Sequence, residues 1–530
     1  MPNRPTAVAA AFLASAGLYL PAVEAQTTSG ESVRNAVETH RVDHETSVMA
    51  ELRTLLELPN LAANATDIRR NADLLVTMLE RRGVEARILE AGAGPPAVYG
   101  RLDVPGARRT VVLYAHFDGQ PVDPDDWSTP PWQPTLRDGR LDDGAEIVQW
   151  SDAPPRLPDD WRIYARSASD DKSPIVAFLA ALDALRSAGI APSVNLRFFL
   201  EGEEEVGSPN LRSMLRTHRA LLEADAWILG DGPVHPTGKM QVVYGVRGVT
   251  GLQLTVYGPR RPLHSGHYGN WAPNPAAMLA HLLASMRDDA GHATIAGLQE
   301  RVRPLTSAEL RAVAALPRAD DQLRRDLAIG QAGDDEGGLA MSIFRPALNI
   351  TGLAAGGVGE GTRNAVPTDA TAAMDIRIVP DLDPAAVRSA VDAHIRAQGY
   401  HIVQEAPSDD VLRTHPRVAR VQWDEGYAGI RTPLDLPVSR AIARAVDAVL
   451  DEPALQVPML GGSLPLAIFD EVLGAPLVTV PIVNADNNQH AANENLRIGN
   501  FWDGVRVYAG LMALLGGAWE EVGGAADGRD

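Results

Sequence analysis

Four apolar runs in this chain each end on an imidazole or a carboxylate, and this repeated layout narrows the possible folds more than any other feature. VVLYAHFDG ends on His116 and Asp118, and VNLRFFLEGEEEVGS on Glu201, Glu203, Glu204 and Glu205. ADAWILGDG ends on Asp231, and in APLVTVPIVNADNNQH His490 follows a few residues past the run. A fifth segment, RSASDDKSP, sets Asp170 and Asp171 just before a nearly all-apolar helical stretch over 173–187. Strands alternating with buried helices describe an α/β sheet covered by helices on both faces. Open sheets of this kind bind ligands at the carboxyl ends of their strands, so these side chains are expected to converge on one crevice.

Periodicity and punctuation place the remaining elements. Helices are expected over 31–58, 71–82 (stopped by Gly83 in the C-cap role) and 211–222, and strands over 84–90, 97–102, 110–115, 194–200 and 226–229. The Asp/Pro/Trp-rich segment 141–162 reads as an irregular surface insertion. Near Tyr244 the texture changes: 250–257 and 371–378 alternate like half-exposed antiparallel strands, with helices over 276–286 and 384–398 and an acidic, glycine-bearing stretch over 320–338. Past about Leu434 the α/β texture returns, with a helix over 438–450, a strand over 477–480 and a terminal helix over 502–515. The expected architecture is a doubly wound α/β domain with a central mixed sheet, built from 26–245 and 434–530. A smaller α+β domain over 246–433 interrupts it.

A length of 530 residues suits two or three domains. With 45% hydrophobic and 22% charged residues the composition is that of an ordinary globular protein, which rules out a disordered chain, a collagen and a coiled-coil rod. The balance of 48 Lys+Arg against 68 Asp+Glu gives a net charge of -20, so nucleic acid and anionic membrane surfaces are poor partners. There is no cysteine, which excludes disulfides, thiolate metal sites and cysteine nucleophiles; any metal must be held by His, Asp or Glu. Arg4, an apolar stretch over 7–23 and Val-Glu-Ala before Gln26 form a signal-peptide pattern over 1–25, with cleavage after Ala25. The expected location is periplasmic or secreted, with an uncleaved anchor as the alternative.

Taken singly, each motif has an ordinary explanation. His116-x-Asp118 suits a polar strand end, the glutamate run a solvated turn, and Asp170–Asp171 helix capping. Together they would set several carboxylates in one crevice, repelling by about 4 kcal/mol per close pair at an effective dielectric near 20. Divalent cations compensate such repulsion. Two imidazoles plus carboxylates suit zinc, with manganese or cobalt as competitors. Asp118, two residues past His116, is placed to hydrogen-bond the far ring nitrogen.

The motifs YAHFDGQP, SASDDKSP, FLEGEEEVGS, LGDGP, LHSGHYGN, DIRIVP, GGSLP and QHAANENLRI resemble, in order and over roughly residues 45 to 515, a dinuclear zinc metallopeptidase family. That family includes carnosinase-type dipeptidases, carboxypeptidase G, aminoacylase and succinyl-diaminopimelate desuccinylase, and LHSGHYGN and the GGS segment are closest to the carnosinase-like branch. The resemblance implies two zinc ions, one on His116 and Asp231, the other on Glu205 and His490, with Asp170 bridging. It implies Glu204 as general base, Asp118 orienting His116, and Arg377 with Gly462–Ser463 holding a substrate carboxylate. His264, in the inserted lid or dimerisation domain, resembles the histidine that reaches a neighbouring subunit's site in a homodimer. The implied activity is hydrolysis of dipeptides or short peptides with a free C-terminus. An N-acyl-amino-acid amidohydrolase with the same metals is the alternative, and a catalytically inactive binding module the alternative of another class. Two departures alter the loop holding Asp170: Ala165-Arg166-Ser167 replaces the usual Gly-Arg-Gly, and Ser173 replaces a glycine.

Overall fold

The computed structural model describes residues 28–524 apart from 319, 332 and 334–336. The expected signal segment 1–25 lies outside the described residues, and the acidic stretch 320–338 is described only in part.

Eight strands form the main sheet: β1 (Glu85–Leu89), β2 (Ala97–Leu102), β3 (Thr110–His116), β4 (Asn195–Glu201), β5 (Ala226–Leu229), β6 (Gln241–Val243), β7 (Leu455–Val457) and β8 (Leu477–Thr479). Their spatial order is β1-β2-β4-β3-β5-β8-β6-β7. At the centre β3 runs parallel to both β4 and β5, and β5 parallel to β8, whereas β1, β2 and β4 pair antiparallel.

Side chains alternate across a strand, and the core divides accordingly. Val111, Leu113 and Ala115 of β3 join Leu196, Phe198 and Leu200 of β4 on one face. Helices Gly30–Leu56, Lys172–Ser187, Pro437–Asp447 and Ile498–Gly524 cover that face. Val112, Tyr114, Phe199, Trp227 and Leu229 point the other way, beneath helices Leu211–Thr217 and Ala467–Leu473. The doubly wound mixed sheet expected from the sequence is therefore present.

From β6 the chain passes through Tyr244 alone into Gly245–Tyr257, the long central strand of a second sheet. Its neighbours run in the order Ala347–Ala354, Asp369–Ile378, Gly245–Tyr257, Val418–Trp423, His401–Val403. Leu252, Leu254, Val256, Ala372, Met374 and Ile376 face a core of their own, closed by helices Pro275–Ala284 and Pro384–Ala397. The opposite face of the two central strands is half-exposed. Among the described residues no helix is long and apolar enough to cross a membrane.

The structure departs from expectation in four places, the first being the helix expected over 71–82, which begins six residues earlier and spans Ala65–Glu80. The irregular insertion expected over 141–162 contains the strand Ile147–Val148 and leads into Arg162–Tyr164; with Thr135–Arg137 and Asn495–Arg497 these form a small four-stranded sheet. Strands of two or three residues carry too little alternation to be read from a sequence. The helix expected over 211–222 breaks at His218 into Leu211–Thr217 and Arg219–Leu222. The terminal helix starts earlier and ends later, at Ile498 and Gly524. Its glycines lower helix propensity, and two of them answer to packing: a Cβ on Gly504 would stand 2.5 Å from Ile482 Cδ1, and one on Gly516 2.4 Å from Ser193 O.

Trp227 in β5 is fully buried between the rings of Phe199 and Phe469, and its indole Nε1 has no hydrogen-bond partner. Trp227→Ala is expected to destabilise the protein by about 3–5 kcal/mol in urea unfolding. Trp227→Phe should cost under about 1.5 kcal/mol, since no hydrogen bond is lost.

Candidate metal centre

Because β3, β4 and β5 are parallel, their carboxyl ends open on the same side. β3 ends on His116, which is in register with Glu201, the last residue of β4. Beyond β4 the turn Glu204–Val206 carries Glu204 and Glu205, and Asp231 lies just past β5. Asp170 stands at the entry of helix Lys172–Ser187, and His490 projects from a loop at φ 64°.

The ligand-capable atoms of His116, Asp170 and Asp231 lie within 4.8 Å of one another, as do those of Asp170, Glu205 and His490. Asp170 belongs to both groups. Its Oδ1 is 3.0 Å from His116 Nε2, and its Oδ2 3.1 Å from His490 Nε2, which is 3.2 Å from Glu205 Oε2. Glu204 Oε2 is 3.9 Å from His116 Nε2. Thus six residues singled out in the sequence meet at one place.

Burial and mutual repulsion dominate the electrostatics. Burial, reinforced by the charge of Asp170, pushes Asp231 up to about 7. Burial also drives Glu204 well above the ordinary carboxylate range, against the attraction of His116 and together with repulsion from Asp231, Asp170 and Glu205. Burial alone would raise Asp170 too, but the imidazoles of His116 and His490 hold it well below the usual range. In return Asp170 and Glu205 raise His490 to about 10. Carboxylates this close, with nitrogen and oxygen donors and no thiolate, fit divalent cations. The buried His116 Nδ1 has no hydrogen-bond partner.

Asp118 does more than the sequence implied. One of its oxygens lies 3.4 Å from His116 Nδ1, yet both oxygens accept backbone N–H bonds at 3.0 Å, from Glu204 and Glu205. Asp118 therefore clamps the turn that presents both glutamates. Three further polar residues escaped the sequence reading. Gln120 donates to Glu205 Oε2 (2.8 Å) and Gln489 to Asp170 Oδ2 (3.3 Å). The fully buried Glu494 accepts from the backbone N–H groups of Ser167, Ser169 and Asp170, the Ser169 hydroxyl and Arg166. Glu494 lies within the quoted motif QHAANENLRI, but nothing in that string reveals what its side chain meets.

Arg377 and Ser463 also meet: Arg377 Nη1 donates to Ser463 Oγ at 2.8 Å, while its Nε donates to Asp375 Oδ2 at 3.1 Å. A side chain on Gly462 would project into open space. A cavity of about 1080 Å³ runs from the segment after Glu205, at Val206–Ser208, to Arg377 and Tyr427. Tyr427, also missed, pairs with Val249 across the sheet; burial, followed by the charge of Glu204, pushes its phenol up to about 12. His264 stands apart. It is exposed, its Nδ1 accepts from Gly266 N–H, and its ring lies 4.5 Å from that of His267.

The model of peptidase family M20/M25/M40 matches residues 143–514. The chain belongs to that family, and is thereby a hydrolase of the metallopeptidase class. Beta-Ala-His dipeptidase of Homo sapiens is 26% identical over 430 residues, covering 79% of this chain and 77% of its own length. Cys-Gly metallodipeptidase dug1 of Schizosaccharomyces pombe is 24% identical over 480 residues, covering 87% and 94%. Among solved structures, the M20 family metallo-carboxypeptidase Sso-CP2 from Sulfolobus solfataricus superposes with a TM-score of 0.72 at 26% identity, covering 88% of this chain and 99% of its own.

The shifts set a pH dependence. Asp231 and Glu204 titrate higher folded than unfolded, so their stabilisation is present at low pH and lost as pH rises above their unfolded values near 4, for Asp231 through about 7. His490, raised to about 10, adds to the same trend, losing its contribution above its unfolded value near 6.5. Metal-free protein is therefore expected to show a falling melting temperature between about pH 5 and about pH 8. Asp231→Asn should flatten that slope, and saturating divalent cation should offset it.

Proposed function

We propose that this chain hydrolyses the amide bond of dipeptides and short peptides bearing a free C-terminal carboxylate, with two divalent cations, zinc foremost. The observation that carries the reading is the pair of three-residue donor groups sharing Asp170. His116 and Asp231 would hold one cation, Glu205 and His490 the other, and Asp170 both. Cations bound there lower the pKa of a water and polarise the amide carbonyl. Glu204 supplies proton transfer: its carboxylate takes a proton from the attacking water and returns it to the leaving amine nitrogen. A raised affinity of Glu204 for protons matches that shuttle. Arg377, steadied by Asp375 and Ser463, lines the cavity and would hold the substrate's carboxylate. The names of the relatives, dipeptidases for β-Ala-His and Cys-Gly, support a dipeptide over an N-acyl amino acid.

The same reading includes a homodimer through the inserted domain. Its strand Ala347–Ala354 lies at one end of the sheet order, with Ile350, Leu353 and Val358 exposed, and Tyr268 and Trp271 are exposed close to His264 in the chain. In a dimer His264 would act on the partner's substrate, donating to the amide carbonyl.

Two experiments test these assignments. Glu204→Gln is expected to lower kcat on a dipeptide at least about 10³-fold with metal content unchanged; loss of metal would instead make Glu204 a ligand. Hydrolysis of matched free dipeptides and N-acyl amino acids, with and without chelator, decides the substrate class. For the second proposal, mixing inactive His264→Ala with inactive Glu204→Gln protein should restore part of the activity through mixed dimers. A mixture that stays inactive, once subunit exchange is demonstrated, removes His264 from that role.

A further inference from the structure

We infer that Arg247, beside the proposed substrate crevice and against the same Gly461–Ser463 segment as Arg377, is a second carboxylate-recognising, specificity-determining residue, carrying a positive charge beyond the one that Asp375 neutralises on Arg377. This inference rests on the reading of that crevice as the seat of a substrate carboxylate.

Sheet register brings the two guanidinium groups together. Val249 pairs directly with Arg377, and Gly251 with Asp375. Directly paired residues share a face, and residues two apart on a strand share it too, so Arg247, Arg377 and Asp375 all stand on the face opposite the inserted domain's core. The burial pattern agrees: 247, 249, 251, 373, 375 and 377 are half-buried, while their chain neighbours are buried.

Both arginines also meet the Gly461–Ser463 segment. Arg247 Nε donates to Gly461 O at 3.0 Å, and Arg247 is in parallel register with Ser463. Arg377 reaches the Ser463 hydroxyl, which in turn donates to Gly248 O. A Cβ built on Gly461 would stand 3.3 Å from Arg247 Nη2, so the guanidinium lies against the glycine backbone, next to the open space over Gly462.

The charges do not balance. Asp375 pairs with Arg377 through Nε at 3.1 Å. Among the described residues Arg247 has no carboxylate within ion-pair distance, and its hydrogen bond to Gly461 O leaves both terminal nitrogens without a protein acceptor. Two guanidiniums and one carboxylate leave one positive charge in a half-buried place, where an anion would find an unpaired partner. Burial and the neighbouring Arg377 lower the proton affinity of Arg247, against a weaker attraction from Asp375. A single substrate carboxylate closes the balance. Arg377 offers it a fork held by Asp375 and Ser463, and Arg247 offers unpaired donors beside Gly462. Serving only to brace Gly461 would require one nitrogen and no net charge.

The test compares a dipeptide with its C-terminal amide on the metal-loaded enzyme, using wild type, Arg247→Gln, Arg247→Lys and Arg377→Gln of matched melting temperature and metal content. Arg247→Gln is expected to raise KM for the free acid about tenfold or more while leaving kcat within about threefold and KM for the amide unchanged. Arg247→Lys, which keeps the charge but not the fork, should fall between. Equal rises of KM for acid and amide, or no rise, overturn the inference. If Arg377→Gln alone collapses the preference for the acid, Arg247 is excluded and the carboxylate reading stands; if neither variant changes that preference, the carboxylate reading itself fails. Should Arg247→Gln fold poorly, Arg247→Lys decides: a wild-type KM for the acid overturns the inference.

Discussion

Everything at the catalytic edge depends on the repulsion among carboxylates that a parallel sheet brings together. With β3, β4 and β5 parallel, the residues at their carboxyl ends share one small volume, and four of the six that meet there are acidic. Asp170 relieves part of the repulsion by standing between His116 and His490, and burial, reinforced by the repulsion that remains, gives Glu204 and Asp231 their high proton affinity. Such an arrangement is stable when it is protonated or when cations occupy it.

A frame built from distant parts of the chain holds this geometry. The carboxylate of Glu494 gathers three backbone N–H groups around Asp170, and the backbone oxygen of the same residue accepts from Ala165 N–H at 3.1 Å. Arg162 extends the frame, donating to Asp486 at 3.0 Å and to Asn495 at 2.8 Å. The loops that carry Asp170 and His490 are thereby joined, although some 320 residues separate them. The small sheet that includes Arg162–Tyr164 and Asn495–Arg497 makes the same junction in backbone hydrogen bonds. Replacing the family's glycines with Ala165 and Ser167 is accommodated here, since Ser167 adopts φ 61° and accepts a bond from Asn60.

The legible part of the site was the part written at strand ends. His116, Glu204, Glu205 and Asp231 each follow an apolar run, so their convergence could be anticipated from the runs alone. Asp170 and His490 were readable only through the family motifs, which implied a carboxylate shared between the two imidazole-bearing groups. Arg247, Tyr427, Gln120 and Glu494 were not readable, because each owes its place to a pairing register or a hydrogen bond formed with a distant part of the chain. The insertion over 141–162 was misread for a related reason: its strands are too short to show a period, and their partner strand Asn495–Arg497 lies at the other end of the chain.

By itself the sequence determined the α/β class, through alternating strands and buried helices. It also determined that any metal donors are nitrogen and oxygen, through the absence of cysteine. Both are properties of composition and local pattern. Tertiary structure alone decided how close the atoms of the two donor groups around Asp170 come, that Asp118 clamps the glutamate turn, and that two arginines of the inserted sheet face the same three-residue segment. The reason is physical: local pattern sets which face of an element is apolar, but the distances among polar groups on different elements are set by how those faces pack.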